Sequence, residues 1–101
     1  MQVSELAGLE ANADEAAQLL KLLANQHRLL ILCHLVTGGE MTVNRLAEAV
    51  GLSQSALSQH LARLRDDGLV AYRREAQTLH YRVADRRAVQ LLKTLKEIFC
   101  P

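Results

Sequence analysis

Apolar residues along this chain follow two different periods, and the switch between them lays out the elements. From about Asp14 to Ala24, the residues Ala16, Leu19, Leu20 and Leu23 recur at helical spacing, and from about Gln26 to Val36 a second stripe runs through Leu29, Leu32, Cys33 and Val36. Thr37-Gly38-Gly39-Glu40 reads as a turn. Thr42 then stands as N-cap to a helix from Val43 to Val50, in which Val43, Leu46, Ala47 and Val50 occupy i, i+3, i+4 and i+7. Gly51-Leu52 is a tight turn and Ser53 the cap of the next helix, where Leu57, Leu61 and Leu64 form the apolar stripe. That helix should end at Asp67, with Gly68 as a left-handed C′ residue. Beyond Gly68 the period falls from 3.6 to 2: Val70 and Tyr72 alternate with Ala71 and Arg73, then Leu79, Tyr81 and Val83 with His80 and Arg82, which predicts a β-hairpin. A last helix, capped by Asp85 and running from Arg86 to Cys100, gathers Ala88, Leu91, Leu92, Leu95 and Phe99 on one face. Lys93 and Lys96 suit the C-terminal end of its dipole. The predicted order is α-α-α-α-β-β-α, mostly α with a small β-hairpin: a winged helix-turn-helix.

The helix behind Ser53 has an unusual front. Gln54, Ser55, Ser58, Gln59 and His60 lie mostly outside its apolar stripe, where an ordinary solvated face would prefer Glu and Lys. Amides, hydroxyls and imidazole suit base edges: Gln can bond adenine through two contacts, and Ser or His can supply single bonds to bases or phosphates. The hairpin tip carries Arg73, Arg74, Glu75, Ala76, Gln77 and Thr78, cations set beside the reading helix as a DNA-binding wing would set them. Taken alone, a Ser-Gln-rich amphipathic helix is more often an ordinary surface helix, and the hairpin could be a plain one with solvated arginines; the turn before the helix and the pattern after it reverse that and point to DNA. No Gly, Asn or Asp sits at the tip, and a two-residue type I′ turn would force Ala76 and Gln77 to positive φ, so a longer or mobile loop is expected.

A chain of 101 residues, half of them apolar, suits a single domain over residues 1–101. Tyr72, Tyr81 and Phe99 are its only aromatic residues apart from the histidines, so leucine and alanine must fill a modest core. The first and last helices are then spare apolar surfaces for a two-fold dimer. Net charge is only +1, but Arg63, Arg65, Arg73, Arg74, Arg82, Arg86 and Arg87 gather in the half that holds the motif, while Glu5, Glu10, Asp14 and Glu15 sit near the N-terminus. Met1 to Ala13 lacks a basic, then apolar, leader pattern, and no segment approaches ~20 apolar residues; a cytoplasmic protein without membrane contact is expected. Nothing pairs a nucleophile with a base, and no phosphate loop is present, so an enzyme is not expected. An adaptor using the same fold without DNA is the competing class.

Metal ligands are not where a sensor would need them. The helix Val43 to Val50 holds no Cys-x-Cys, the last helix holds no His, and His27, His34, His60 and His80 share no helical spacing, so neither metal nor cofactor is expected. Two cysteines remain, in a compartment that disfavours structural disulfides. Cys33 falls on an apolar stripe and fits a small core residue. Cys100 continues the line Val89, Lys93, Lys96, off the apolar ridge, with an ammonium one turn earlier, and is the better nucleophile candidate.

Leu52 to Val70, the wing Arg73 to Tyr81 and Leu29-Leu30-Ile31-Leu32-Cys33 together resemble the ArsR/SmtB family of winged-helix regulators over nearly the whole chain. Within it, Ser53 to Leu61, Glu75-Ala76-Gln77-Thr78 and Cys100 are similar to the branch of HlyU-type hemolysin-gene regulators and biofilm growth-associated repressors. The resemblance implies a homodimer on pseudo-palindromic operator DNA, with Gln54, Ser55, Ser58, Gln59 and His60 toward the major groove and Arg73, Arg74 and Gln77 in the wing. It also implies that Cys33 and Cys100 are a reactive pair that senses persulfides or related reactive sulfur species by an intrasubunit bridge. A simple disulfide needs Cα atoms within ~4.4–6.8 Å, so thiols farther apart could be joined only by a polysulfide. A peroxide-driven disulfide, an arsenic response, and a constitutive activator with inert thiols stay open. Two departures stand out: many relatives have Pro where Gln26 stands, and many have Gly at the wing tip.

Overall fold

The computed structural model describes residues 1–100. Its elements are α1 (Val3–Ala11), α2 (Ala13–Leu23), α3 (Gln26–Gly38), β1 (Met41–Thr42), α4 (Val43–Val50), α5 (Gln54–Asp66), β2 (Val70–Glu75), β3 (Thr78–Val83) and α6 (Arg86–Phe99). The expected winged helix-turn-helix is present, with α1 and the two-residue β1 added to the predicted order.

Helix α3 is the hub. It packs on α4, α6 and β3, and its Ile31, Leu32 and Leu35 are fully buried. A helix covered on several sides has no reason to be amphipathic, which is why one stripe through Leu29, Leu32, Cys33 and Val36 understates its buried surface. Leu29, Cys33 and Val36 sit half-buried at the edge of the core. Asn25 caps this helix, its side-chain oxygen accepting the Arg28 N–H at 3.1 Å.

The α4–α5 pair follows the predicted grammar. Thr42 caps α4 by accepting the Arg45 N–H, and Ser53 caps α5 by accepting the Ala56 N–H at 3.1 Å. Gly51, at φ 70°, is the left-handed residue of the turn, and the Leu52 N–H returns to the Ala47 carbonyl. Gly68, at φ 77°, closes α5 in the same way, with the Leu69 N–H on the Leu64 carbonyl. No side chain crowds either glycine; the backbone conformation alone selects it. Behind α5, Leu57, Leu61 and Leu64 are buried against Leu46 and Ala47 in the common core, each leucine contributing about 1.5–3 kcal/mol of transfer free energy.

The sheet is antiparallel in the order β1-β3-β2, with Tyr72 opposite Tyr81 and Glu75 opposite Thr78. That register leaves only Ala76 and Gln77 in the wing loop, which corrects the expectation of a longer one. Only Ala76 takes positive φ, at 56°. One left-handed alanine costs about 1–2 kcal/mol, which the continuous ladder on either side offsets. Asp85 caps α6 by accepting the Arg87 and Ala88 N–H groups at 2.8 and 3.4 Å, and the helix stops at Phe99, leaving Cys100 as its C-cap.

The chain leaves much apolar surface open. Helix α1, which the sequence reading missed, buries no residue at all, and Leu20, Leu30, Ile98 and Phe99 are exposed large hydrophobics. A fully apolar concavity between α2, α3 and α6 is lined by Leu20, Leu23, Ala24, Leu29, Leu91 and Leu95. Among the described residues no single helix is long and apolar enough to cross a membrane.

Candidate nucleic-acid interface and thiol pair

Because Leu57, Leu61 and Leu64 turn inward, α5 must present its opposite side to solvent. Ser55, Ser58 and Gln59 form that exposed ridge. Gln54 is exposed too, but it lies on the flank nearer α4, where its amide donates to Asn44 Oδ1. His60 differs from its four companions. It sits one turn before Leu64, half-buried, with its ring 5.4 Å from that of His27 at the start of α3. Burial, then the neighbouring His27, Arg63 and Arg28, hold its pKa below the usual histidine value. His60 thus braces α5 against α3 rather than extending the ridge.

The wing also divides its residues. The Arg73 guanidinium donates from Nε to both Glu40 oxygens at 2.9 and 3.0 Å, and from a terminal nitrogen to Glu75 at 3.0 Å. It therefore pins β2 to the segment before β1, a departure from the free wing cation expected of it. The reason is tertiary: Glu40 reaches the sheet only because β1 pairs with β3. Arg74 and Gln77 are exposed, and Arg74 enters no ion pair among the described residues. The wing is held to the reading helix by Arg65, whose guanidinium lies 4.6 Å from the centre of the Tyr72 ring, itself 5.4 Å from the Tyr81 ring.

Asn44 was not singled out in the sequence reading. A cleft between the first turn of α4 and the wing tip is lined by Thr42, Val43, Asn44, Gln77, Thr78 and Leu79, so Asn44 stands beside both Gln54 and the tip. A helical wheel of Val43 to Val50 already sets Asn44 and Arg45 opposite the apolar stripe, and that was the available signal.

At the other end of the hub, α3 and α6 pack together and carry the two free cysteines. Cys33 is half-buried at the core edge, and Cys100 is exposed. Burial holds the Cys33 thiol above the usual cysteine value; the Lys96 ammonium on α6 opposes that rise only in part, and Cys100 adds to it. Lys96 donates to Thr37 Oγ1 at 2.7 Å, and the Thr37 hydroxyl donates to the Cys33 carbonyl at 2.8 Å. The ammonium expected to serve Cys100 is therefore turned toward α3. Among the described residues no three His, Cys, Asp or Glu side chains converge as a metal site.

Comparison with known proteins agrees with this architecture. The bacterial regulatory protein, arsR family, matches residues 25–72, from the cap of α3 into the wing. The HTH-type transcriptional regulator YgaV of Escherichia coli K12 is 43% identical, covering 98% of this chain and 100% of its own length. The transcriptional activator HlyU of Vibrio cholerae is 45% identical over 94% of this chain and 87% of that protein. The crystal structure of the transcriptional repressor BigR from Xylella fastidiosa superposes with a TM-score of 0.84 at 39% identity, covering 100% of this chain and 99% of that one. The chain belongs to the ArsR family of winged-helix transcriptional regulators, whose members act by binding DNA and not as enzymes.

Proposed function

We propose that this protein is one winged-helix domain that dimerises and represses transcription by occupying a pseudo-palindromic operator. The observation that carries the reading is the exposed, uncharged ridge Ser55, Ser58 and Gln59 on a helix whose back is locked into the core. Gln59 reads a base pair in the major groove; Ser55 and Ser58 bond bases or phosphates. Gln54 enters the groove with Asn44 fixing its amide, and Arg74 and Gln77 lie over the flanking backbone. Two such ridges must stand ~34–36 Å apart, so a dimer is required, and the uncovered faces of α1, α2 and α6 supply its interface. An activator relative leaves activation as the second reading of the sign. A reporter fused to the target promoter separates the two.

Operator affinity is switched by reactive sulfur species through Cys33 and Cys100. A bridge between these positions would draw α6 against α3, alter the dimer surface that α6 helps to form, and change the spacing of the two ridges. Support comes from the placement of Cys33 on α3 and of Cys100 at the end of α6, two helices that pack together.

The test is titration of the DNA upstream of the protein's own gene by fluorescence anisotropy, before and after persulfide, peroxide and arsenite in parallel. Sequence-selective binding released by persulfide is expected. Failure to prefer any promoter DNA over random duplex defeats the operator reading, and release by arsenite or peroxide alone defeats the sulfur one.

A further inference from the structure

The wing carries two adjacent arginines that the fold treats differently. Arg74 is exposed and enters no ion pair among the described residues, whereas Arg73 is gripped by Glu40, its Nε donating to both carboxylate oxygens at 2.9 and 3.0 Å. That grip crosses the sheet. In the order β1-β3-β2, Arg73 stands opposite His80 and His80 opposite Thr42, so the guanidinium reaches over β3 to a carboxylate two residues before Thr42. Glu75 also accepts from Arg73, at 3.0 Å, but it lies two positions along the same strand and travels with the wing. Only Glu40 ties Arg73 to a part of the molecule outside the hairpin.

Glu40 stands beside the candidate nucleic-acid face. Thr42 caps α4, and Glu40, Arg45 and His80 line one concavity at the first turn of that helix. Arg45, Arg73 and Arg74 are the arginines of α4 and the upper wing, and among the described residues only Arg73 has its charge met by carboxylates. We propose that Glu40 sets the duplex affinity of this protein by withholding Arg73 from the phosphate backbone.

The physical basis is competition. A guanidinium offers the same planar fork to a carboxylate and to a phosphate, and an edge already bonded to one is closed to the other. Glu40 and Arg73 keep 33% and 50% of their side-chain exposure, so water and salt weaken the pair, which acts as a brake and not as a lock. The carboxylate has a second effect of the same sign, because it puts negative charge where a phosphate would approach. Neutralising Glu40 removes both. Phosphate contacts raise affinity for every sequence alike, so a brake on one of them lets a reader of base edges leave wrong DNA sooner. The inference rests on the operator-binding reading and adds to it a residue that touches no base.

The experiment measures affinity of the full chain for a random duplex and for promoter DNA by fluorescence anisotropy across a salt series. Glu40→Gln should tighten binding to both several-fold at low salt and steepen the slope of log K against log salt by about 0.9, the increment of one added phosphate contact. Glu40→Gln combined with Glu75→Gln should steepen it at least as much. Placed on Arg73→Ala, Glu40→Gln should leave the slope where it was, because no guanidinium remains to be released. Glu40 and Arg73 are both exposed, so the variants should melt close to the parent. A slope that neither carboxylate variant changes, or one that Glu40→Gln steepens equally without Arg73, overturns the proposal whatever sequence the protein prefers. A steeper slope in a protein that prefers no promoter DNA over random duplex upholds the brake on Arg73 and sinks the operator reading instead.

Discussion

Ser55, Ser58 and Gln59 on α5, and Cys33, Thr37 and Lys96 at the α3–α6 seam, are both polar sets carried by helices, yet they are made in opposite ways. Among the described residues the ridge side chains have no hydrogen-bond partner, and their hydrogen-bonding capacity is available to an outside molecule because the leucines behind them fix the helix face. The seam side chains owe their chemistry to one another: Cys33 feels burial, an ammonium and a second thiol only because α6 returns to α3. A face that stands open to an external ligand can be built by one helix, whereas the surroundings of Cys33 need two.

The largest effect should come from behind the ridge. Leu61→Ala, at a site 1% exposed, should cost about 2–5 kcal/mol in denaturant unfolding and abolish DNA binding, because the ridge has no orientation without its back. A loss of less than 1 kcal/mol would mean that the face is not fixed by the core. Next, Gln59→Ala should remove about 1–3 kcal/mol of discrimination at one base pair, read by anisotropy on operator variants. Equal losses on every variant would move Gln59 from base to backbone. Asp85→Ala, which strips the α6 cap at the base of the helix that bears Lys96 and Cys100, should cost about 1 kcal/mol in thermal or denaturant melts while leaving base preference unchanged. Arg74→Ala should weaken all duplexes alike and flatten the salt slope by about one unit, whereas Arg73→Ala, already neutralised by Glu40 and Glu75, should alter the slope less. Identical slopes for the two would show that DNA frees Arg73 from its carboxylates.

The smallest effect is on pH. His60 titrates lower in the folded protein than the ~6.5 of an unfolded chain, so folding favours its neutral ring. Its contribution is whole above that value and is lost as pH falls toward the folded pKa. Melting temperature should therefore decline on acidification through this window, and His60→Gln should lessen the decline; an unchanged slope would deny His60 its bracing role.

Much of this was legible from local pattern. The caps Thr42, Ser53 and Asp85, the glycines after α4 and α5, and the change of period at Gly68 depend on hydrogen bonds and dihedrals within a few residues, and the structure keeps them all. What was missed depends on partners remote in sequence. Val3, Leu6 and Leu9 of α1 stay exposed among the described residues, so no inward stripe announced that helix. The wing loop was misjudged because local strain at Ala76 was weighed without the full ladder beside it.

Sequence by itself determined the winged helix and the exposed face that carries Ser55, Ser58 and Gln59, because helical and strand periods assign most side chains to a face without reference to distant neighbours. Only the tertiary structure decided that Arg73 is spent on Glu40, that Gln54 is bound to Asn44, that His60 leans on His27 and that Lys96 turns from its own helix to α3. Those pairings join residues 10 to 59 positions apart, and electrostatic and hydrogen-bond contacts at such separations exist only once the chain has folded back on itself.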